Sequence, residues 1–402
     1  MSSEESPPFD RAVEVAWTFL RLGCLSFGGP VAHLGYFRAD IVERRRWLDD
    51  ARFADLVALS QFLPGPASSQ LVFALGKHRA GWPGAALASL CFTLPSAALM
   101  IAFAFGVARL SDLSHARWLH GLKLAALPVV AQAVWSMGVR LCADRARALI
   151  AALSAATLLV VPSSLTQLAV ISLGALAGWR LYHQPTPQRR DAHDERIEPV
   201  ERRRALTALA LFVALLLGLP FAAAKTGSLW LSAIDGFYRS GALVFGGGHV
   251  VLPLLRELVV GRGWLDDARF LAGYGAAQAI PGPLFTFAGF IGASMGPSAP
   301  SITGGLLALL AIFAPAWLLI AGALPFWHGL RAKAWAQAAI MGANASVVGV
   351  LLAALYKPVF TESVRSPRDV AAAILAFVLL ERVRTPPWLV VLAMAAAGQW
   401  LL

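Results

Sequence analysis

"WLDDARFADLVALSQFLPGP", Trp47 to Pro66, comes back as "WLDDARFLAGYGAAQAIPGP", Trp264 to Pro283. The opening heptad is unchanged, and the glutamine and Pro-Gly-Pro that close the stretch keep their spacing. Upstream, Phe19, Arg21, Gly23, Phe27, Gly28, Gly29 and Arg38 recur as Phe237, Arg239, Gly241, Phe245, Gly246, Gly247 and Arg256. Shared greasiness does not produce identities in register, so the chain is a duplication, a pattern to seek before any other. The copies are expected over residues 1–182 and 226–402. Residues 183–225 lie between them: a charged, proline-bearing linker through Arg204, then an apolar segment, Leu206 to Ala224, with no partner in the first copy.

The 402 residues are 58% hydrophobic and 14% charged, with mean hydropathy +0.65. Apolar runs of bilayer-spanning length, about 20 residues, recur throughout, as at Ala85–Val107, Leu122–Val139 and Ile302–Pro325. The fold class is therefore all-α, a polytopic membrane protein. The first ten residues are polar and acidic, so no cleavable signal peptide is expected. Cys24, Cys91 and Cys142 sit in apolar stretches and read as buried thiols rather than disulfides. The net charge of +11 is spread over short loops, which argues for anionic lipid on one side of a bilayer and against nucleic acid.

Past the motif region the first copy holds apolar spans near 85–108, 119–140, 147–161 and 164–182. With 206–224 they make an odd number of crossings, so the second copy enters upside down: an inverted repeat with a midplane site between the halves. The motif regions break at "SFGGP" and at "LPGP" into arms too short to cross, and read as broken or re-entrant helical hairpins. That reading keeps Arg38, Arg44, Arg45 and Arg46 on the cytoplasmic side with the N-terminus and the 183–204 linker. The alternative, every segment spanning, gives about 13 crossings and leaves the parity unchanged.

Each proline break frees backbone groups inside the membrane, and the helix restarting after it offers its positive end to an anion. Gln61, Gly65, Pro66, Ser68 and Ser69 in one copy, and Gln278, Gly282, Pro283 and Thr286 in the other, are the candidates there. Gly28 and Gly29, and Gly246, Gly247 and Gly248, permit close backbone approach, and His33 and His249 follow them as donors or proton carriers. Arg21 and Arg239 lie six residues before their FGG motifs inside apolar sequence, where a guanidinium is costly and suits an oxyanion. The aspartates of "WLDDARF" read as helix caps, and Lys77, His78 and Arg79 as a cytoplasmic basic loop. Metal-ligand and nucleotide-binding patterns are missing, so no cofactor is expected.

The FGGP motif with His33, the "WLDDARFADLVALSQFLPGP" run and their second copies resemble the bacterial chromate transporter family in its long, two-domain form. The resemblance covers essentially the whole chain. It implies an inner-membrane protein that exports chromate, gives resistance and carries its two domains in opposite orientations. Chromate is a tetrahedral dianion, for which Arg21, Arg239 and the two helix starts supply charge and donors. A carrier of sulfate or another oxyanion is the rival reading; a membrane enzyme or a scaffold would not need paired breaks with arginines. The expected partners are the oxyanion and the lipid bilayer, with monomer and homodimer both left open.

Overall fold

A computed structural model describes residues 7–27, 29–109, 117–182, 198–244, 251–296, 299–327 and 333–400. The described residues are helical throughout, without strands. The first repeat supplies α1 (Pro8–Leu25), α2 (Gly29–Phe37, continued by a π-helical segment, Arg38–Arg44), α3 (Asp50–Phe62), α4 (Ala67–Ala108), α5 (Arg117–Leu141), α6 (Arg145–Val160) and α7 (Ser164–Tyr182). Then α8 (Pro199–Thr226) stands alone. The second repeat supplies α9 (Leu229–Ala242), α10 (Val251–Val259), α11 (Asp267–Ala279), α12 (Phe287–Ser294), α13 (Ile302–Ala323), α14 (Ala334–Ala354), α15 (Pro367–Glu381) and α16 (Pro387–Trp400). The helices match in order once α4 is divided at Ala80 and Gly81, where φ is −138° and +64°. Its first arm answers to α12, its second to α13.

The caps form as the sequence dictates. Asp49 accepts from the Arg52 N–H at 2.7 Å and Asp266 from the Arg269 N–H at 2.8 Å. Downstream, α3 and α11 have 13 residues each, about 20 Å of helix. That falls short of the roughly 30 Å hydrocarbon core, so each turns back at its Pro-Gly-Pro as a re-entrant arm. Lys77, His78 and Arg79 correct the expectation of a loop: they form the last helical turn before the α4 kink. Arg79 reaches Glu14 at 2.8 Å, and Lys77 reaches Glu201 at 2.7 Å, because a cation near an apolar surface needs a partner. The cysteines also depart from expectation. Cys24 is exposed on α1, and Cys91 and Cys142 are half-buried.

Five helical stretches are long and apolar enough to span: Ala67–Ala108, His120–Leu141, Pro199–Thr226, Ile302–Phe326 and Ala334–Ser363. Three of them precede the second repeat. The shorter α6 and α7, 16 and 19 residues, follow one another as a pair, so the parity holds whether or not they cross fully. Side-chain bonds fix the same arrangement. Lys77 and Trp82, either side of the α4 kink, bind Glu201 at the start of α8. At the far end of α8, about 42 Å away, α9 begins, and its Trp230 lies on Gly304 beside the corresponding turn of the second repeat. The two equivalent turns therefore sit on opposite faces. The repeat is inverted.

The repeats are interleaved rather than side by side. α7 packs on α14, and α16 on α5. Gly342 meets Gly174 so closely that a Cβ on it would lie 1.9 Å from the Gly174 carbonyl oxygen; in the equivalent helix pair Gly121 meets the Met394 carbonyl. Small residues permit such backbone approach in lipid, where hydrophobic attraction between helices is absent. The unpaired α8 turns Val213, Leu217 and Phe221 outward, a lipid-facing strut.

Candidate functional site

The two kinds of break find each other across the repeats. The Gly65 N–H in the first Pro-Gly-Pro donates to the Val244 carbonyl, just before the second FGG, at 2.6 Å. In the equivalent bond the Gly282 N–H donates to the Ser26 carbonyl, just before the first FGG, at 2.9 Å. Gly65 has φ +114° and Gly282 φ +96°, a region that strains residues with a Cβ. Each glycine thus swings its N–H outward, away from its own helix and into the other repeat. The chain buries two junctions of broken helix, each built from one break of each copy.

Depth follows from helix length. The α4 arm from Ala67 to Arg79 rises about 20 Å from its break to the kink at the membrane face, which puts the Pro-Gly-Pro near the middle of the bilayer. At the helix starts, Ser69 and Gln70 N–H bond the Pro66 carbonyl, and Thr286 N–H bonds that of Pro283. The N–H groups of Ala67 and Ser68, and of Leu284 and Phe285, are left at the open ends. The glycine N–H groups themselves are spent on holding the repeats together.

Buried side-chain atoms without hydrogen-bond partners gather here. Ser26 Oγ and His33 Nδ1 at the first junction, Ser69 Oγ and Gln70 Oε1 at the second, and Gln278 Nε2 are all unpaired among the described residues. Buried polar groups are ordinarily satisfied, so a cluster of exceptions calls for a ligand or water. Ser68, Pro66 and Pro283 are buried beside them, Gln61 is exposed, and Thr286 Oγ1 donates to the Pro283 carbonyl at 2.8 Å. Gly29, at φ +74°, starts α2. Gly28, Gly246, Gly247, Gly248 and His249 lie outside the described residues.

Arg21 and Arg239 are half-exposed and each has a carboxylate. Arg239 is gripped through two nitrogens by Asp235 at 2.7 and 2.6 Å. Arg21 shares buried Asp40 with Arg44 and Arg45, at 2.6 and 2.9 Å, and is held least, at 3.5 Å. Next to that cluster Glu14 takes Arg45, Arg79 and the Trp47 indole. Position 14 corresponds to Ser232, so the network belongs to one face alone.

Residues 13–179 and 231–399 each match the family described as chromate transporter. The chain belongs to the chromate transporter family. A probable chromate transport protein of Synechococcus elongatus is 31% identical over 78% of the chain and 77% of its own length. A chromate transport protein of Pseudomonas aeruginosa is 28% identical over 100% and 94%, and one of Cupriavidus metallidurans 29% over 90% and 84%. No solved structure matches the chain. Set on this family, the repeat explains what sequence reading passed over. Ser26 and Gln70 correspond to Val244 and Phe287, and Asp40 to an apolar leucine, so a search for residues kept in both copies could not find them. Their signal was polarity within apolar sequence.

Proposed function

We propose that this family member exports a tetrahedral oxyanion, chromate in the first place, from the cytoplasm across the inner membrane, and that the two clasped junctions are its path. The observation carrying this reading is the cluster of buried, unpartnered polar atoms at a midplane contact between inverted repeats. An anion taken there meets serine hydroxyls, the Gln278 amide and the open N–H groups of two helix starts. Arg21, the loosest of three guanidiniums on Asp40, is the one free to exchange its carboxylate for the anion. Arg44, Arg45, Arg46, Lys77 and Arg79 gather on the face of the α4 kink, which supports placing that face in the cytoplasm. An inside-negative potential favours anion exit by roughly 2.3 kcal/mol per charge per 100 mV, so export can run without another energy source.

The test is growth in chromate with cellular chromium and its oxidation state measured in expressing and non-expressing cells. Export lowers total chromium without reducing it. Unchanged or raised chromium refutes export, and a raised fraction of reduced chromium points to an enzyme. Equal protection of sulfate pools would favour the broader oxyanion reading.

A further inference from the structure

The two re-entrant arms are equivalent in sequence and unequal in packing. α11 lies against α5 and α16, and Leu271 to Ala277 are buried. Its Gly275 comes so close to α5 that a Cβ there would stand 2.0 Å from the Leu122 carbonyl oxygen. The counterpart α3 packs on α4 and the π-helical segment, with no comparable seam on α14 among the described residues. Along α3 run Ala54, Ala58 and Gln61, the equivalents of Leu271, Gly275 and Gln278, and all three are exposed. A side-chain amide at the depth of the break faces protein or water rather than lipid, and an exposed one faces water. The approach beside α3 is therefore open and the one beside α11 shut.

Lys123 lies in the shut seam, one residue past Leu122 in the membrane-spanning stretch His120–Leu141, and it is only 6% exposed. Among the described residues its ammonium has neither a hydrogen bond nor an ion pair. Asp266, Asp267, Glu362 and Arg365 act on it through space, and Asp267 is already bound by Arg256 at 2.7 and 2.8 Å. A buried ammonium without a counter-ion is costly, and inside a membrane it marks a place where an anion is received. One turn past Gly275 on the same face of α11 stands Gln278, whose Nε2 is also unpaired. α14, the counterpart of α5, carries Asn344 two residues past its close-packed Gly342, as Lys123 stands two past Gly121. The donor recurs in both helices, and the charge is confined to the shut side. We propose that the α5–α11 seam is the gate on the face opposite the α4 kink, and that Lys123 is a substrate-binding residue within it. When the seam parts, the oxyanion passes from Gln278 to the ammonium, and the carboxylates beyond take the ammonium over as the ion departs. The proposal rests on the oxyanion-carrier reading and adds a residue to its path. An ammonium offers charge rather than a fixed fork, so its role is tested by charge.

The test uses the full chain in proteoliposomes, with initial chromate flux measured against chromate concentration for wild type, Lys123→Met and Lys123→Arg. Methionine keeps the length of the side chain and removes the charge. Lys123→Met is expected to reach the membrane with a thermal midpoint no lower than wild type, because a buried unpaired charge has gone. Its transport should fall by roughly 10²-fold, in the range for removing one partner of a buried charge pair. Lys123→Arg should retain most of the flux. In a background without Cys24, Cys91 and Cys142, Lys123→Cys should regain flux with a thiol reagent bearing an ammonium and not with a neutral one of equal size. Chromate should slow that labelling. Wild-type flux in Lys123→Met overturns the proposal, as does equal rescue by the two reagents. So does a lowered thermal midpoint with lost flux that neither arginine nor the cationic reagent restores, since that marks a structural lysine. Absence of chromate flux from wild-type vesicles would instead overturn the carrier reading itself.

Discussion

Replacing Gly282 by alanine strikes the first junction at its hinge. At φ +96° a residue with a Cβ is strained by roughly 1–3 kcal/mol. The added Cβ would stand 2.7 Å from Ser96 Oγ and 3.1 Å from Ser96 Cβ. Ser96 is half held, its hydroxyl bonded to the Thr93 carbonyl at 3.1 Å, so relief means moving α4 or the break. Forcing that fit costs about 1–3 kcal/mol more, and any shift that parts Gly282 N–H from the Ser26 carbonyl leaves a buried acceptor short. The expected loss is roughly 3–6 kcal/mol, a large share of an ordinary folding margin.

Gly65→Ala is the internal control. Its φ of +114° brings the same strain, but its Cβ would find Gln70 Nε2, Ala316 and the Gly241 carbonyl only at 3.1–3.4 Å. The loss should stay near 1–3 kcal/mol. Adding Ser96→Ala to Gly282→Ala should restore about 1–3 kcal/mol, the packing part, and leave the strain. Free energies come from detergent-to-dodecyl-sulfate titrations of purified protein, alongside chromate export per molecule in the membrane. Equal losses at the two glycines, or no recovery on trimming Ser96, would refute this account of the junction.

Arg21→Ala and Arg239→Ala should each abolish chromate extrusion while membrane abundance stays at the wild-type level; wild-type efflux from both would remove the arginines from the path. In a background without Cys24, Cys91 and Cys142, Arg46→Cys should be labelled by an impermeant thiol reagent from the cytoplasmic side only and Arg262→Cys from the other only. Labelling of both from one side would contradict the inversion. Asp144, the cap of α6, is held down to about 2 by the Arg147 backbone N–H and the Tyr182 hydroxyl, against an ordinary value of about 3.9. Because the folded value is the lower one, its contribution is complete above about pH 4 and lost as pH falls towards 2. The difference in thermal midpoint between wild type and Asp144→Asn should therefore be constant near neutrality and shrink across that acidic window.

The duplication, the inversion and the re-entrant breaks were legible in the sequence because each rests on a repeated or countable feature: an identical heptad, paired Pro-Gly-Pro motifs, an odd number of spans. The caps at Asp49 and Asp266 were legible because capping is local. The crossing of the breaks was not. No sequence pattern says that Gly65 bonds Val244 rather than a residue of its own repeat, since that contact is set by the packing of α1 on α4 and α9 on α13. Lys77 and Arg79 misled for a related reason: charges beside glycine and proline suggest a loop, but Glu201 and Glu14 lie where tertiary partners can keep them helical.

An inverted duplication makes two junctions equal by construction, so whatever distinguishes one membrane face from the other has to reside in side chains. Some of those differences lie at the breaks and in the arginine networks beside them. His33 and Gln70 stand against Val251 and Phe287, at the breaks themselves. Arg21 shares one carboxylate with two other guanidiniums, whereas Arg239 has a carboxylate to itself. Each backbone clasp is a single N–H to carbonyl bond, worth about 1 kcal/mol net, so exchanging one for its equivalent across the pseudo-symmetry is nearly neutral. A backbone balanced in that way leaves any difference between the faces to the side chains at and beside the breaks, which is why the residues that differ between the copies matter as much as those repeated in both.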